Sequence, residues 1–373
     1  MNPRRGFAAL VLAGALCACG HDVELARAAS PPPPMPAPLA ATYRVEAPVP
    51  PRVPRAPTSL VASLDLLVRS FDGKVGVAVK SVDDGWTAQA NGDIRLPQQS
   101  VSKLWVAMTV LDMRDAGRLR LDDPIVLTRD DLTLFHQPVA ALIKGDGYHT
   151  TVGGLLQRAL TMSDNTCNDR LLRYVGGPAA VRDFIARKGL GDIRFGPGEK
   201  LLQSGTAGLS WRPEFTQFNA FERARAALPP VVRASAFDGY IANPPDGAAP
   251  AAIAGALAKL KRGELLSPDS TAYLIGTMES SRTGKQRMRG AVLPGWTFGH
   301  KTGTGQDFLG RTAGYNDVGL LTAPDGRTYA IAVMIGETHR SIPERQALMQ
   351  SVVASVIADD RFAGGSTYRT NGS

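Results

Sequence analysis

Strand-type patterns stand near both ends of this chain and helical patterns fill the space between, an order that few folds can accommodate. Residues Lys74 to Lys80 alternate around Val75, Val77 and Val79, and far along the chain Trp296 to Thr302, Tyr315 to Thr322 and Tyr329 to Ile335 read as three further strands. Pro324, Asp325 and Gly326 supply a turn between the last two. Strands with a buried face must pair, so the sheet has to be assembled from both chain ends, with the middle inserted as a helical unit. The expectation is an α+β protein: an antiparallel sheet flanked by helices, with an all-helical subdomain over about residues 95–290.

The helices follow from periodicity and caps. Ser59 to Ser70 carries Leu60, Leu64 and Leu67 at helical spacing, and a helix from Pro343 to Ala358 closes the fold. Inside, helices are expected over residues 102–116, 152–162, 165–174, 178–188, 251–262 and 268–279. Gly176, Gly177 and Gly189 act as stops, and Ser267 caps the last of these helices ahead of Pro268. There is no internal repeat.

The globular part therefore spans residues 59–361, and residues 362–373 read as a flexible tail. What precedes it is different. Arg4 and Arg5 lead into an apolar stretch from Phe7 to Ala18, too short to cross a bilayer, which reads as a secretory signal. Its end, Leu16-Cys17-Ala18-Cys19-Gly20, resembles the lipobox of bacterial lipoproteins, with Cys19 as the acylated residue; plain cleavage near Ala26 to Ala28 is the alternative. Residues 1–19 are then the leader, and residues 20–58, dominated by Pro and Ala from Ser30 onward, form an extended spacer that cannot pack. The protein is expected to be exported to the periplasm and held at the bacterial membrane by its lipid. Only Cys167 remains in the folded part, as a small core residue, so no internal disulfide can form. The net charge is +8, yet no run of five Lys or Arg occurs, which argues against nucleic acid as a partner.

Ser100 and Lys103 stand three apart at the start of an apolar helix, so hydroxyl and amine share one face a single turn apart. A serine hydroxyl is inert until a base takes its proton, and a desolvated lysine among cationic neighbours can be that base. The helix N-terminus favours developing negative charge. Alone the pair is weak evidence, since such spacing also arises by chance on surfaces. Ser163-Asp164-Asn165 between two helices, and Lys301-Thr302-Gly303-Thr304-Gly305 at a strand end, complete an ordered set. The three resemble the SxxK, SDN and KTG motifs of class A β-lactamases and penicillin-binding proteins. Residues 118–131, 161–168, 262–267 and 294–305 extend the resemblance over most of residues 59–358. No HExxH, GxSxG, P-loop or GxGxxG pattern is present.

The resemblance implies roles. Lys103 deprotonates Ser100, Ser163 relays a proton to the departing ring nitrogen, and Asn165 orients the amide side chain of the substrate. Lys301 and Thr302 take the substrate carboxylate, Gly303 lets backbone approach closely, and the N–H groups of Ser100 and Thr304 form the oxyanion hole. Seen alone, Asn165 also suits a helix N-cap and Lys301 a solvated strand end. Hydrolysing an acyl-enzyme needs a second base. The family places a Glu in an E-x-x-L-N pattern about three dozen residues after the SDN serine, and here Glu199 to Gln203 occupies that place, with Gln203 keeping an amide able to hold a water. A competing alignment uses Trp211 to Glu214 and would put Arg212 where the base belongs.

The segment from Ser204 to Pro245 is longer than the family's loop, and Phe215, Phe218 and Phe221 at helical spacing are expected to pack as an extra element beside the site. Asp246 suits the Asp that commonly pins that loop, but Pro197 stands in the place of its Arg partner. Arg287 sits where some class A enzymes carry a carboxylate-binding Arg, against the alternative of an exposed loop residue. Phe135 and His136 fall in the stretch of the family's aromatic gate, and His300, next to Lys301, should point to the opposite face. The expected activity is hydrolysis of the β-lactam amide through an acyl-Ser100 intermediate. Small-molecule β-lactams and the membrane are the expected partners, with no cofactor or metal and a monomeric chain. The alternatives are a penicillin-binding D-Ala-D-Ala carboxypeptidase and a non-catalytic envelope binding module.

Overall fold

The computed structural model describes residues 54–370, with side chains as far as Phe362. The leader over residues 1–19, Cys19 and the spacer up to Val53 lie outside the described residues. Helix α1 (Thr58–Ser70) enters the sheet through β1 (Lys74–Ser81) and β2 (Thr87–Ala90). Short strands β3 (Leu96–Pro97), β4 (Pro124–Leu127), β5 (Tyr148–Thr151) and β6 (Gly247–Ala248) form two-residue and four-residue ribbons inside the helical part. The chain returns to the sheet in β7 (Thr297–Thr304), passes a small ribbon, β8 (Asp307–Phe308) with β9 (Arg311–Thr312), and finishes it with β10 (Tyr315–Thr322) and β11 (Thr328–Glu337). The five-stranded order is β2-β1-β11-β10-β7, antiparallel throughout, so the first and last strands of the chain are neighbours at its centre.

Period-two alternation sorts the sheet residues onto two cores. Val75, Val77 and Val79 of β1 and Ile331, Val333 and Ile335 of β11 face α1 and α11 (Ile342–Thr370). On the reverse face Ala78, Ala330 and Ala332 lie against α9 (Pro250–Lys261), whose Ala254 and Ala258 are also small, which lets helix and sheet approach closely. Each Leu or Ile so buried contributes about 2 kcal/mol, and α1 places Leu60, Leu64 and Val68 inward, one helical turn apart, leaving Leu67 only partly covered.

The inserted part comprises α2 (Lys103–Asp115), α3 (Val152–Thr161), α4 (Asn165–Tyr174), α5 (Gly177–Arg187), α9 and α10 (Pro268–Glu279), all near the expected bounds. Ser267 caps α10 as its sequence suggests, accepting from Ser270 N. Three features differ from expectation. The closing helix continues past Ala358 to Thr370, into the residues assigned to a tail. A helix, α6 (Glu199–Thr206), starts at the acidic residue of the expected loop. The long segment is not one element: it holds a 3-10 turn at Pro213–Thr216, α7 (Ala220–Ala227) and α8 (Pro230–Ala242). Asn219, at φ 55°, breaks the backbone between turn and helix, so the Phe spacing spans two elements. Phe215 and Phe221 share a small core with Leu134 and Ala207, while Phe218 is 87% exposed. Cys167 lies in the main core, where burial pushes its thiol up.

Candidate active site

Ser100 lies in a 3-10 turn (Gln99–Ser102) that runs directly into α2, which brings its hydroxyl one turn from Lys103. The turn is held from several sides. Gln98 Nε2 donates to the Arg194 and Asp246 carbonyls at 2.9 and 2.6 Å, and Asn316 Nδ2 donates to the Pro97 and Gln98 carbonyls at 2.7 and 3.0 Å. Gln99 itself sits at φ 53°, a left-handed conformation that a residue with a side chain adopts only when its surroundings impose it. A Cβ on Gly303 would collide with the Gln98 carbonyl, so the glycine is needed for β7 to press against the nucleophile's turn.

Lys103 is fully buried. Its Nζ donates to Ser100 Oγ at 2.7 Å and Asn165 Oδ1 at 2.9 Å and pairs with Glu199 Oε1, so all three ammonium protons have oxygen partners. That full satisfaction is what makes a buried cation tolerable. Asn165 is not the N-cap of α4: Asp164 takes that place, accepting from Cys167 N at 3.0 Å. The Asn165 side chain is therefore free to bridge Lys103 and the Leu134 carbonyl, to which its Nδ2 donates at 2.9 Å. Ser163, at φ 61° just before the cap, accepts from Lys301 Nζ at 2.8 Å.

Lys301 is buried, not a solvated strand end, and burial, with Lys103 and Arg287 nearby, pushes its ammonium well below the usual lysine range. Thr302 Oγ1 lies 2.9 Å from Thr283 Oγ1. His300 turns to the other face of β7, where Nδ1 meets Asp317 Oδ1 at 2.7 Å. Arg287 is not an exposed loop residue. It is buried, donates to the Gly303 and Asn316 carbonyls at 2.8 and 2.5 Å and to Thr304 Oγ1 at 2.5 Å, and lies 3.7 Å over the Tyr315 ring.

Glu199 opens α6, whose preceding Gly198 has no side chain to cap it. Asp169, on α4, caps it from outside: Oδ1 accepts from Glu199 N at 2.9 Å and Oδ2 from Lys200 N at 3.2 Å. Burial, then the Glu199 charge, raises this carboxyl to about 6 against those two N–H bonds. Gln203, one turn on, donates to Glu199 Oε2 at 3.2 Å and Gln99 Oε1 at 3.1 Å, and Gln306 Nε2 donates to the Gln203 carbonyl at 2.8 Å. Among the described residues Asp246 has no Arg partner. It accepts from Gln99 N at 2.8 Å and Tyr240 Oη at 3.2 Å, and burial raises it to about 6. The expected Arg–Asp pin is thus replaced by Asp169 at the start of the segment and by the Gln99–Asp246–Tyr240 contacts at its end. Arg212 and Glu214, of the competing alignment, are exposed and do not reach the cleft.

These side chains surround a cleft of about 550 Å³ lined by Ser100, Ser163, Asn165, Gln203, Thr302, Thr304 and Arg287, with Phe135 and His136 at one edge. His136 Nε2 is tied to the Met162 carbonyl at 2.8 Å. Asp169, Gln99 and Gln306 were not singled out from sequence. Asp169 carried a readable signal, since it stands four residues after Asn165 and so on the same face of α4. Gln99 and Gln306 carried none.

The beta-lactamase enzyme family model matches residues 59–359. The extended-spectrum beta-lactamase PER-1 of Pseudomonas aeruginosa is 29% identical over 294 residues, covering 79% of this chain and 84% of that protein. A beta-lactamase structure from Chitinophaga pinensis matches with a TM-score of 0.65 at 26% identity, covering 80% of this chain and 97% of that one. An ancestral class A β-lactamase of Gram-negative bacteria, in a variant bound to a transition-state analogue, matches with a TM-score of 0.63 at 29% identity, covering 82% and 99% of the two chains. Matched in sequence along its globular part and in fold across nearly the whole of these structures, the chain belongs to the β-lactamase enzyme family, as a class A serine member.

Proposed function

We propose that the chain hydrolyses the β-lactam amide through an acyl-enzyme on Ser100. The observation that carries this reading is the buried Lys103 amine, within hydrogen-bond reach of Ser100 Oγ at 2.7 Å and paired with Glu199 Oε1. In its neutral form Lys103 presents a free amine to the hydroxyl, while Glu199 stays a carboxylate. That amine takes the Ser100 proton as Oγ attacks the ring carbonyl, whose oxyanion is received by the Ser100 and Thr304 N–H groups. Ser163, bonded to Lys301 at 2.8 Å, delivers its proton to the leaving ring nitrogen and recovers the one Lys103 took from Ser100, since an amine departs only when protonated. The substrate carboxylate is taken by Lys301, Thr302 and Arg287; its arrival restores favour to the charged form of Lys301, which burial otherwise opposes. Asn165 holds the acyl side-chain amide. In the second half, Glu199 takes a proton from a water held by the Gln203 amide, that water cleaves the ester, and the proton returns by way of Lys103 to the departing Ser100 Oγ.

Turnover of a chromogenic cephalosporin by the purified protein tests this. A stable adduct on Ser100 without turnover would instead make it a penicillin-binding carboxypeptidase, a reading that the paired Glu199 disfavours. Export and lipid anchoring rest on the leader and lipobox alone: Cys19→Ser should release the protein from the membrane fraction, and a native chain already free in the periplasm would contradict the anchor.

A further inference from the structure

Arg225 stands in the inserted segment, on α7, and reaches the cleft wall beside Gln306 and Asp307. It is half-buried, and its Nη1 donates to Gln306 Oε1 at 3.2 Å. No carboxylate neutralises it among the described residues: Glu222 on its own helix and Asp307 on the wall share its surroundings, but neither forms a salt bridge with it, and Asp307 is engaged by Thr312 Oγ1. A neighbouring cation, Arg233, and partial burial make its charge more costly still. An unpaired guanidinium held in a cleft is a site for an anion.

Its position says which part of a substrate it meets. Lys301, Thr302 and Arg287 occupy the end of the cleft reserved for the ring carboxylate. Asn165 and Gly305 line the same cleft, and Arg225 is joined through Gln306 to Gln203, whose amide bonds Glu199, so it belongs with the groups that face the acyl side chain rather than with those that take the ring carboxylate. Phe135, on the same cleft, packs edge-on against Phe221 with ring centres 5.3 Å apart, and the Arg225 guanidinium lies 5.7 Å from the Phe221 ring centre. We propose that Arg225 determines specificity by binding a carboxylate carried on the acyl side chain, so that β-lactams with an acidic, aryl-bearing side chain are the favoured class. This rests on the reading of the site as a β-lactamase.

The test compares benzylpenicillin with carbenicillin, which differ by one carboxylate beside the phenyl ring, and reads the ratio of their kcat/KM values. One charge-assisted hydrogen bond on a half-exposed group corresponds to about a tenfold effect. Arg225→Gln should therefore lower the carbenicillin-to-benzylpenicillin ratio about tenfold, and Arg225→Lys should hold it within about twofold. A general loosening of Gln306 and Gln203 would depress both substrates and leave the ratio unchanged. Raising salt from about 0.05 to about 0.5 M should lower the native enzyme's ratio too, with no substitution needed. A ratio indifferent to both Arg225→Gln and salt overturns the role of Arg225 while leaving the hydrolase reading intact. Failure of the native protein to be acylated by either penicillin overturns both.

Discussion

Asp169→Asn isolates the carboxylate that anchors Glu199. Asp169 is buried, accepts the N–H groups of Glu199 and Lys200, and is raised from 3.8 to about 6, first by burial and then by the Glu199 charge. A carboxyl whose folded pKa lies above its unfolded one binds more protons in the native state between the two values. Stability contributed by the protonated form is therefore complete below about pH 4 and is lost as pH rises through about 6. A shift of this size corresponds to about 3 kcal/mol. Asparagine keeps an acceptor for Glu199 N but does not titrate, so whatever constant cost the lost Lys200 bond imposes cancels in a comparison across pH. Urea unfolding of native and variant proteins from about pH 4 to pH 7.5 should show their stability difference moving by about 3 kcal/mol in favour of the variant as pH rises. Asp246, also raised to about 6, contributes equally to both curves. Parallel curves would refute the argument, because they would mean that Asp169 ionises in the folded state without penalty.

Other substitutions separate structural from chemical roles. Arg287→Gln removes the buried cation that donates to the Gly303 and Asn316 carbonyls and to Thr304 Oγ1, and should cost about 1.5–3 kcal/mol in urea unfolding as well as raising KM. Gly303→Ala sets a methyl against the Gln98 carbonyl and should lower acylation by about a hundredfold, read as the rate of labelling by a fluorescent penicillin. Glu214→Gln alters only an exposed side chain, so cephalosporin turnover should stay within about twofold of native.

Much of this architecture was legible because burial imposes a period. The alternation of Val75, Val77 and Val79 marks a strand wedged between two cores, and the caps at Ser267 and Gly176 locate helix ends. The short two-residue strands were not legible, since β3 and β6 exist only as a contact between distant segments, Leu96 opposite Ala248. At the site, local spacing fixes Ser100 against Lys103, but contacts that close over long separations leave no local trace. Gln306 reaches Gln203 across a separation of 103 residues, and Asp246 reaches Gln99 from the end of the inserted segment. The phenylalanine spacing misled for a related reason: periodicity assumes a continuous helix, and a left-handed Asn219 interrupts it.

The central claim is that acylation and deacylation use different parts of one buried cluster, with Glu199 indispensable to the second. Glu199→Gln keeps the shape and a hydrogen-bonding oxygen beside Lys103 but removes the base for water. Removing a general base costs about two to four orders of magnitude in the step it serves. Rapid mixing of this variant with benzylpenicillin, followed by intact-protein mass spectrometry, should show a penicilloyl adduct on Ser100 that accumulates to one equivalent and persists, with a burst and then a much slower steady rate. If Glu199→Gln turns over at the native rate with no adduct accumulating, the deacylating base lies elsewhere and the account of the site fails.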